Sequence, residues 1–211
     1  LGANITRHTN CKISRAEECF EIIGSGLNGL AEPQDILNAG NSGTTMRLIS
    51  GLLAGQDFFS VITGDASLRN RPMKRITTPL TQMGAYINGR DDGSLAPLSF
   101  TGSSLKGIEY TMPVASAQLK SCLIIAGLYS NSPSIIHQPA ESRDHTERML
   151  NSMGGDLEIN GLTIKTGNKE LSSVDVKVPS DTSGSAFWLI AGVCHSDSRI
   201  TIPGMGMNPT R

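Results

Sequence analysis

Aromatic side chains make up only 4% of this 211-residue sequence. Its core is therefore expected to be built from Leu, Ile, Val, Ala and Met, and the 38% hydrophobic content is enough for one. Net charge is almost absent as well, at −1. Without bulk charge, attraction to nucleic acid or to an acidic membrane surface is excluded as a binding principle. Any basic function has to come from individually placed Arg or Lys. No apolar run approaches the roughly 20 residues of a membrane-crossing helix, and no signal-peptide pattern opens the chain. The four cysteines, Cys11, Cys19, Cys122 and Cys194, form no C-x-x-C pair, and the latter two lie inside apolar runs. They read as buried, reduced thiols of a cytoplasmic protein. The histidines His8, His137, His145 and His195 are scattered, with no metal-ligand spacing. Neither a metal nor a cofactor is expected.

What the sequence does contain is repetition. Leu52-Leu53-Ala54-Gly55 returns as Ile124-Ile125-Ala126-Gly127 and as Leu189-Ile190-Ala191-Gly192, spaced by 72 and then 65 residues. A second marker, Leu1-Gly2-Ala3, Met83-Gly84-Ala85 and Met153-Gly154-Gly155, follows with spacings of 82 and 70. Units this long exceed the helix pair of a solenoid, so each is expected to be a small α/β unit sharing a core with the others. The chain opens on one marker and closes soon after another, which reads as an internal piece of a longer protein.

Each copy has the same order of signals. A Gly/Ser/Thr-rich stretch precedes an apolar helix body at 46–54, 119–128 and 186–193. Short strands follow at 58–63, 134–137 and 199–202, then an Arg-bearing loop, then second helices over 73–83 and 146–153. The glycine after Met83 and Met153 suits a helix C-terminus. Turn signals at Asn88-Gly89, Asp92-Gly93 and Asn160-Gly161 predict hairpins. The grammar is β-α-β-α-β-β. Because the first helices are apolar around most of their circumference, they are expected to be buried on all sides, with helices inside and sheets outside.

Candidate chemistry lies at the starts of those helices. Asn41, Ser42 and Thr44 open the first, Ser116 and Gln118 the second, and Asp181, Thr182 and Ser183 the third. Helix N-termini carry unpaired N–H groups and partial positive charge. If the units are related by rotation, these ends converge into an anion site. Taken singly, each stretch is also what an N-cap requires; the shared start and the nearby arginines favour the anion site. Arg69 and Arg71, Arg143 and Arg211 recur just after the strands, and a guanidinium fits phosphate or carboxylate with two donors. Arg47, in a first turn, opposes the helix dipole, so it either pairs with a carboxylate or faces an anion. Gly43 points to close approach of a ligand to the backbone. Arg75 and Arg148 read as solvated helix-face residues.

Four motifs then become familiar: Gly40-Asn41-Ser42-Gly43-Thr44-Thr45-Met46-Arg47, Leu68-Arg69-Asn70-Arg71-Pro72-Met73, Pro113-Val114-Ala115-Ser116-Ala117-Gln118 and Ser142-Arg143-Asp144-His145-Thr146-Glu147. In order and spacing they resemble the EPSP synthase (5-enolpyruvylshikimate-3-phosphate synthase) family over essentially the whole chain, and Asn208-Pro209-Thr210-Arg211 resembles a further family motif. The resemblance implies an inside-out α/β fold of two domains, each built from three β-α-β-α-β-β units. Residues 1–175 would form most of the amino-terminal domain and 176–211 the crossover and the start of the next repeat or second domain, since the sequence turns polar between Lys169 and Val178. It implies transfer of the enolpyruvyl group of phosphoenolpyruvate to the 5-hydroxyl of shikimate 3-phosphate. Gly43, Arg71 and Gln118 match phosphoenolpyruvate contacts. Ser116, Ala117, Gln118, Ser142 and Arg143 match shikimate 3-phosphate contacts, and Asn41 and Thr44 shape the loop around Gly43. Ala117 and His145 stand where one branch of the family has serine and tyrosine, which suits the other bacterial branch. Gly43 suggests sensitivity to glyphosate, because tolerant branches tend to carry alanine there.

The family's Lys-Ser-Arg segment and its acid/base carboxylate match nothing between Leu1 and Arg211, so substrate binding without turnover is expected of this chain. The whole enzyme is implied to be monomeric, while uncovered edges would let this chain self-associate. Two other readings stay open. One is the sibling enzyme acting on a UDP-amino sugar, whose loop cysteine has no counterpart between Cys19 and Cys122. The other is a non-catalytic repeat scaffold with an exposed apolar patch.

Overall fold

The β-α-β-α-β-β grammar is realised twice within residues 12–16 and 19–210, which the computed structural model describes. The Leu1-Gly2-Ala3 marker, His8, Cys11 and Arg211 lie outside the described residues. The first unit consists of β3 (Leu37–Asn38), α1 (Gly43–Leu53), β4 (Ser60–Thr63), α2 (Lys74–Gln82), β5 (Tyr86–Gly89) and β6 (Leu95–Thr101). The second consists of β7 (Glu109–Thr111), α3 (Ala117–Gly127), β8 (Ser134–His137), α4 (His145–Ser152), β9 (Leu157–Asn160) and β10 (Thr163–Thr166). A hairpin of β1 (Lys12–Ala16) and β2 (Cys19–Ile23) precedes them, and α5 (Thr182–Val193) follows.

Both four-stranded sheets have the same order, β3-β4-β6-β5 and β7-β8-β10-β9. In each, the first two strands are parallel and the remaining pairs antiparallel. Alternation decides which face turns inward: Ala96, Leu98 and Phe100 of β6, Ile136 of β8 and Ile164 of β10 are buried. Against these faces lie the apolar helices. In α3, every residue from Leu119 to Ile124 is buried, as are Ala126 and Gly127. In α1, Met46, Arg47, Ser50, Gly51 and Leu53 are buried. Helices inside and sheets outside is therefore the observed arrangement.

Local chemistry sets the helix limits. Ser42 caps α1 by accepting from Thr45 N–H at 3.1 Å, and Ser116 caps α3 by accepting from Leu119 N–H at 3.3 Å. After α2 and α4 the chain turns at Gly84 (φ +101°) and Gly154 (φ +80°), in the left-handed region that stops a helix. The two central helices then approach to backbone contact. A Cβ on Gly51 would sit 2.2 Å from the carbonyl oxygen of Cys122, so α1 can lie against α3 only because that side chain is absent.

Four expectations need correction. First, α5 is apolar but not enclosed: Phe187 is 78% exposed, Trp188 65% and Val193 87%, and only Ser185 is buried. An apolar helix is covered only where other elements surround it, and no described helix or strand packs extensively on α5. Second, Cys194, at its C-terminus, is consequently exposed, as is Cys19. Third, residues 199–202 form no strand; the segment lacks a ladder partner, and the only nearby pairing is the bridge between Ser180 and Met205. Fourth, Asn88-Gly89 does not turn, because β5 continues through it and Gly89 pairs with Leu98. That connection turns instead through Arg90–Gly93, where Asp91 and Asp92 both take φ of 51°. Asn160-Gly161 does lie at the β9–β10 turn, with Gly161 at φ +57°. Among the described residues no helix is long and apolar enough to cross a membrane.

Two outcomes follow from the packing. Gly51→Ala drives a methyl group into the Cys122 carbonyl and should cost about 1–3 kcal/mol or more in a denaturant titration; an unchanged midpoint would show that α1 and α3 are not in contact. Burial pushes the Cys122 thiol up to about 12, so in the native chain it should resist a thiol reagent that labels Cys19 and Cys194, as counted by mass spectrometry.

Candidate functional site

The two buried helices deliver their first turns to the same place. Gln118 Nε2 donates to Thr44 Oγ1 at 2.7 Å, and Arg47 Nη1 donates to Gln118 Oε1 at 2.6 Å. One side-chain amide thus joins the start of α1 to the start of α3. Beside it lies an open cavity of about 400 Å³ lined by Arg75, Ala115, Ser116, Ala117, Gln118, Ser142, Arg143 and Thr210. The Ser116 oxygen is used in capping, which leaves its proton for a ligand acceptor. Ser142 Oγ donates to Gln138 Oε1 at 3.0 Å, so in this state it offers a ligand its lone pairs. Arg75 and Arg143 are both exposed, and neither makes a hydrogen bond or ion pair among the described residues.

A second cluster adjoins the cavity through Arg47. A Cβ on Gly43 would lie 2.9 Å from Arg47 Nη1 and 3.4 Å from Arg71 Nη1, so both guanidinium groups converge on the first turn of α1. Asn41 holds one of them: its Oδ1 accepts from Arg71 Nη2 at 2.7 Å, while its Nδ2 donates to Asp65 Oδ2 at 2.7 Å. Asp65 is itself held below the usual carboxylate range by the Leu68 N–H and Asn41, with a smaller contribution from Arg71. Arg47 makes no ion pair among the described residues; it bonds to Gln118 and to the Pro72 carbonyl, and its Nε is buried without a partner. Its pKa is lowered by burial and then by the charges of Arg75 and Arg71. Positive charge is thus concentrated around a helix N-terminus with little carboxylate to offset it, which favours a bound anion.

The sequence-predicted residues fall into two adjoining groups. Ser116, Ala117, Gln118, Ser142 and Arg143 line the cavity. Asn41, Gly43 and Arg71 form the neighbouring cluster, and Thr44 links the two through Gln118. The third helix start does not join them, since no residue of α5 lines the cavity; Asp181 is engaged in capping Ser183 and Gly184. Arg148 pairs with Asp144 on the helix face. Arg75 is exposed on its helix, as expected, and it also forms part of the wall of the open cavity. The sequence signal for it is the absence of any acid at helical reach: positions 71, 72, 78 and 79 are Arg, Pro, Thr and Pro. Thr210 also lines the cavity, and with Asn208 it hydrogen-bonds Asp144 at the start of α4. Burial works against that carboxylate, but the bonds from Asn208 and Arg148 outweigh it and keep its pKa low.

The family model described as EPSP synthase (3-phosphoshikimate 1-carboxyvinyltransferase) matches residues 3–211. The chain belongs to the EPSP synthase family. It is 53% identical over 196 residues to a 3-phosphoshikimate 1-carboxyvinyltransferase of Citrifermentans bemidjiense, covering 92% of this chain and 46% of that protein. A Bacillus cereus enzyme of the same name is 51% identical over 191 residues, covering 90% and 44%. The solved EPSP synthase from Acinetobacter baumannii superposes with a TM-score of 0.87 at 42% identity, over 97% of this chain and 47% of that one. The chain therefore spans about half the length of the relatives it matches.

Within the EPSP synthase fold, Gly43 leaves room for two guanidinium ends rather than for backbone, so its replacement separates stability from binding. Gly43→Ala should leave the thermal midpoint nearly unchanged, because a helix gains up to about 1 kcal/mol of propensity from Ala and the displaced atoms are the mobile ends of Arg47 and Arg71. Affinity for inorganic phosphate, followed by calorimetric titration, should fall roughly tenfold as one charge-assisted bond is lost.

Proposed function

We propose that this chain supplies the part of a 3-phosphoshikimate 1-carboxyvinyltransferase that holds shikimate 3-phosphate and the phosphate of phosphoenolpyruvate. The whole reaction removes the 5-hydroxyl proton as that oxygen joins the enolpyruvyl carbon, adds a proton to the methylene carbon and later removes one, and breaks the carbon–oxygen bond so that phosphate leaves carrying the remaining proton. The observation that carries the reading is one cavity holding two guanidinium groups, Arg75 and Arg143, that have no partner among the described residues, together with the Ser116 and Ser142 hydroxyls and the Gln118 amide. Guanidinium groups fit a phosphate monoester, and the hydroxyls and amide fit the ring hydroxyls. The Gly43, Arg47 and Arg71 cluster, reached through Gln118, suits the second phosphate.

Among the described residues, no Asp, Glu or His lines this cavity. Its residues bind and orient substrate and do not move protons, so the acid/base groups are proposed to come from the rest of the whole enzyme. In keeping with this, residues 1–175 are proposed as most of one domain and 176–211 as the crossover and the start of the next repeat or second domain; residues 167–179 contain neither helix nor strand.

Isothermal titration of the chain with shikimate 3-phosphate, against a UDP-amino sugar, tests the reading. Heat with the former alone is expected, and Arg143→Ala should weaken it by roughly ten- to a hundredfold, the loss of a hydrogen bond to a charged group. Heat with the UDP-sugar alone, or with neither ligand, would overturn it.

A further inference from the structure

Behind the cavity wall lies a pair of charges that the anion site does not use. Lys120 stands near the start of α3 and Glu147 near the start of α4, with side chains only 1% and 3% exposed. Lys120 Nζ lies 2.6 Å from Glu147 Oε1 and donates to the backbone carbonyl of Ser142 at 3.0 Å. The other Glu147 oxygen, Oε2, is buried without a partner.

Helix packing does not account for this pair. Burying two charges is expensive, and an apolar pair of similar volume generally holds two helices at least as well. A cation at a helix start also opposes the dipole. What Lys120 adds, and an apolar residue could not, is the bond to Ser142. That carbonyl belongs to the segment between β8 and α4, whose backbone bonds lie at its two ends: Gln138 N–H donates to the Leu162 carbonyl, and the Asp144 carbonyl accepts from Arg148 N–H. Ser142 and Arg143 reach the cavity from it. The segment is tied at Ser142 Oγ by Gln138 and beyond Arg143 by the Asn208 bond to Asp144. Lys120 fixes the main chain between those ties.

We propose that Lys120, neutralised by Glu147, is a positioning residue that holds the Ser142 carbonyl so that Ser142 and Arg143 face the bound phosphorylated substrate. The inference rests on the cavity being a shikimate 3-phosphate site. A segment held in advance loses less freedom on binding, which favours affinity.

The test compares the chain with Lys120→Met/Glu147→Leu. The unfolding midpoint should match or exceed that of the parent, while amide hydrogen exchange of residues 138–144 in the free chain should rise about tenfold. Affinity for shikimate 3-phosphate should drop about tenfold, equivalent to one hydrogen bond from a charged donor. Glu147→Gln provides the opposite split: a lower midpoint, with the Lys120 bond and slow exchange over 138–144 retained. Unchanged exchange in the double variant, or equal loosening in both variants, would make the pair merely structural and overturn the proposal. Failure of the parent chain to bind shikimate 3-phosphate would sink the cavity reading, and the exchange comparison would still decide the tether.

Discussion

The approach of Gly51 to the Cys122 carbonyl sets the distance between the two central helices, and the site depends on that distance. Across the same pair of helices, Gln118 donates to Thr44 on α1 while accepting from Arg47. The same contact puts α1 and α3 between two sheets whose inward residues, among them Ile62, Phe100, Ile136 and Ile164, complete the core. Apolar burial fixes the helices, and fixed helices aim their first turns together. The anion site is a consequence of how the core is packed.

Charge is handled differently in the two layers around that packing. At the surface of the cavity, Arg75 and Arg143 have no carboxylate partner among the described residues, and beside it Arg71 and the buried Arg47 are held by neutral acceptors. Those cations remain available to a ligand. One layer deeper, Lys120 is matched by Glu147, because an unmatched charge at that depth would not be tolerated. The same residue chemistry thus serves recognition where water reaches and alignment where it does not.

Much of this was legible in the chain. Ser42 and Ser116 announce helix starts, Gly84 and Gly154 announce helix ends, and the apolar bodies of α1 and α3 announce burial. The same pattern misled at α5, since an apolar sequence states what a helix requires and not whether a partner is there to meet it. Arg47 stood out as an anomaly, but its partners Gln118 and Pro72 lie 71 and 25 residues away. Lys120 interrupts an apolar run with no acid at helical reach, yet Glu147 belongs to another helix. Arg75 is a surface residue, and the lack of an acid at helical reach is a local sign that it is unpaired, but nothing local shows that this surface is a cavity wall.

By itself the sequence determined the order of most elements, their caps and stops, the repeating β-α-β-α-β-β grammar and the residue types that would meet an anion. These depend on near neighbours, through backbone preference, periodicity and local hydrogen bonds. Only the tertiary structure decided that residues 44, 47 and 118 share one hydrogen-bonded chain, that Arg75 and Thr210 complete the cavity, and that Lys120 reaches the carbonyl of Ser142. Those relations depend on distances across the fold, and such distances exist only once the helices have packed.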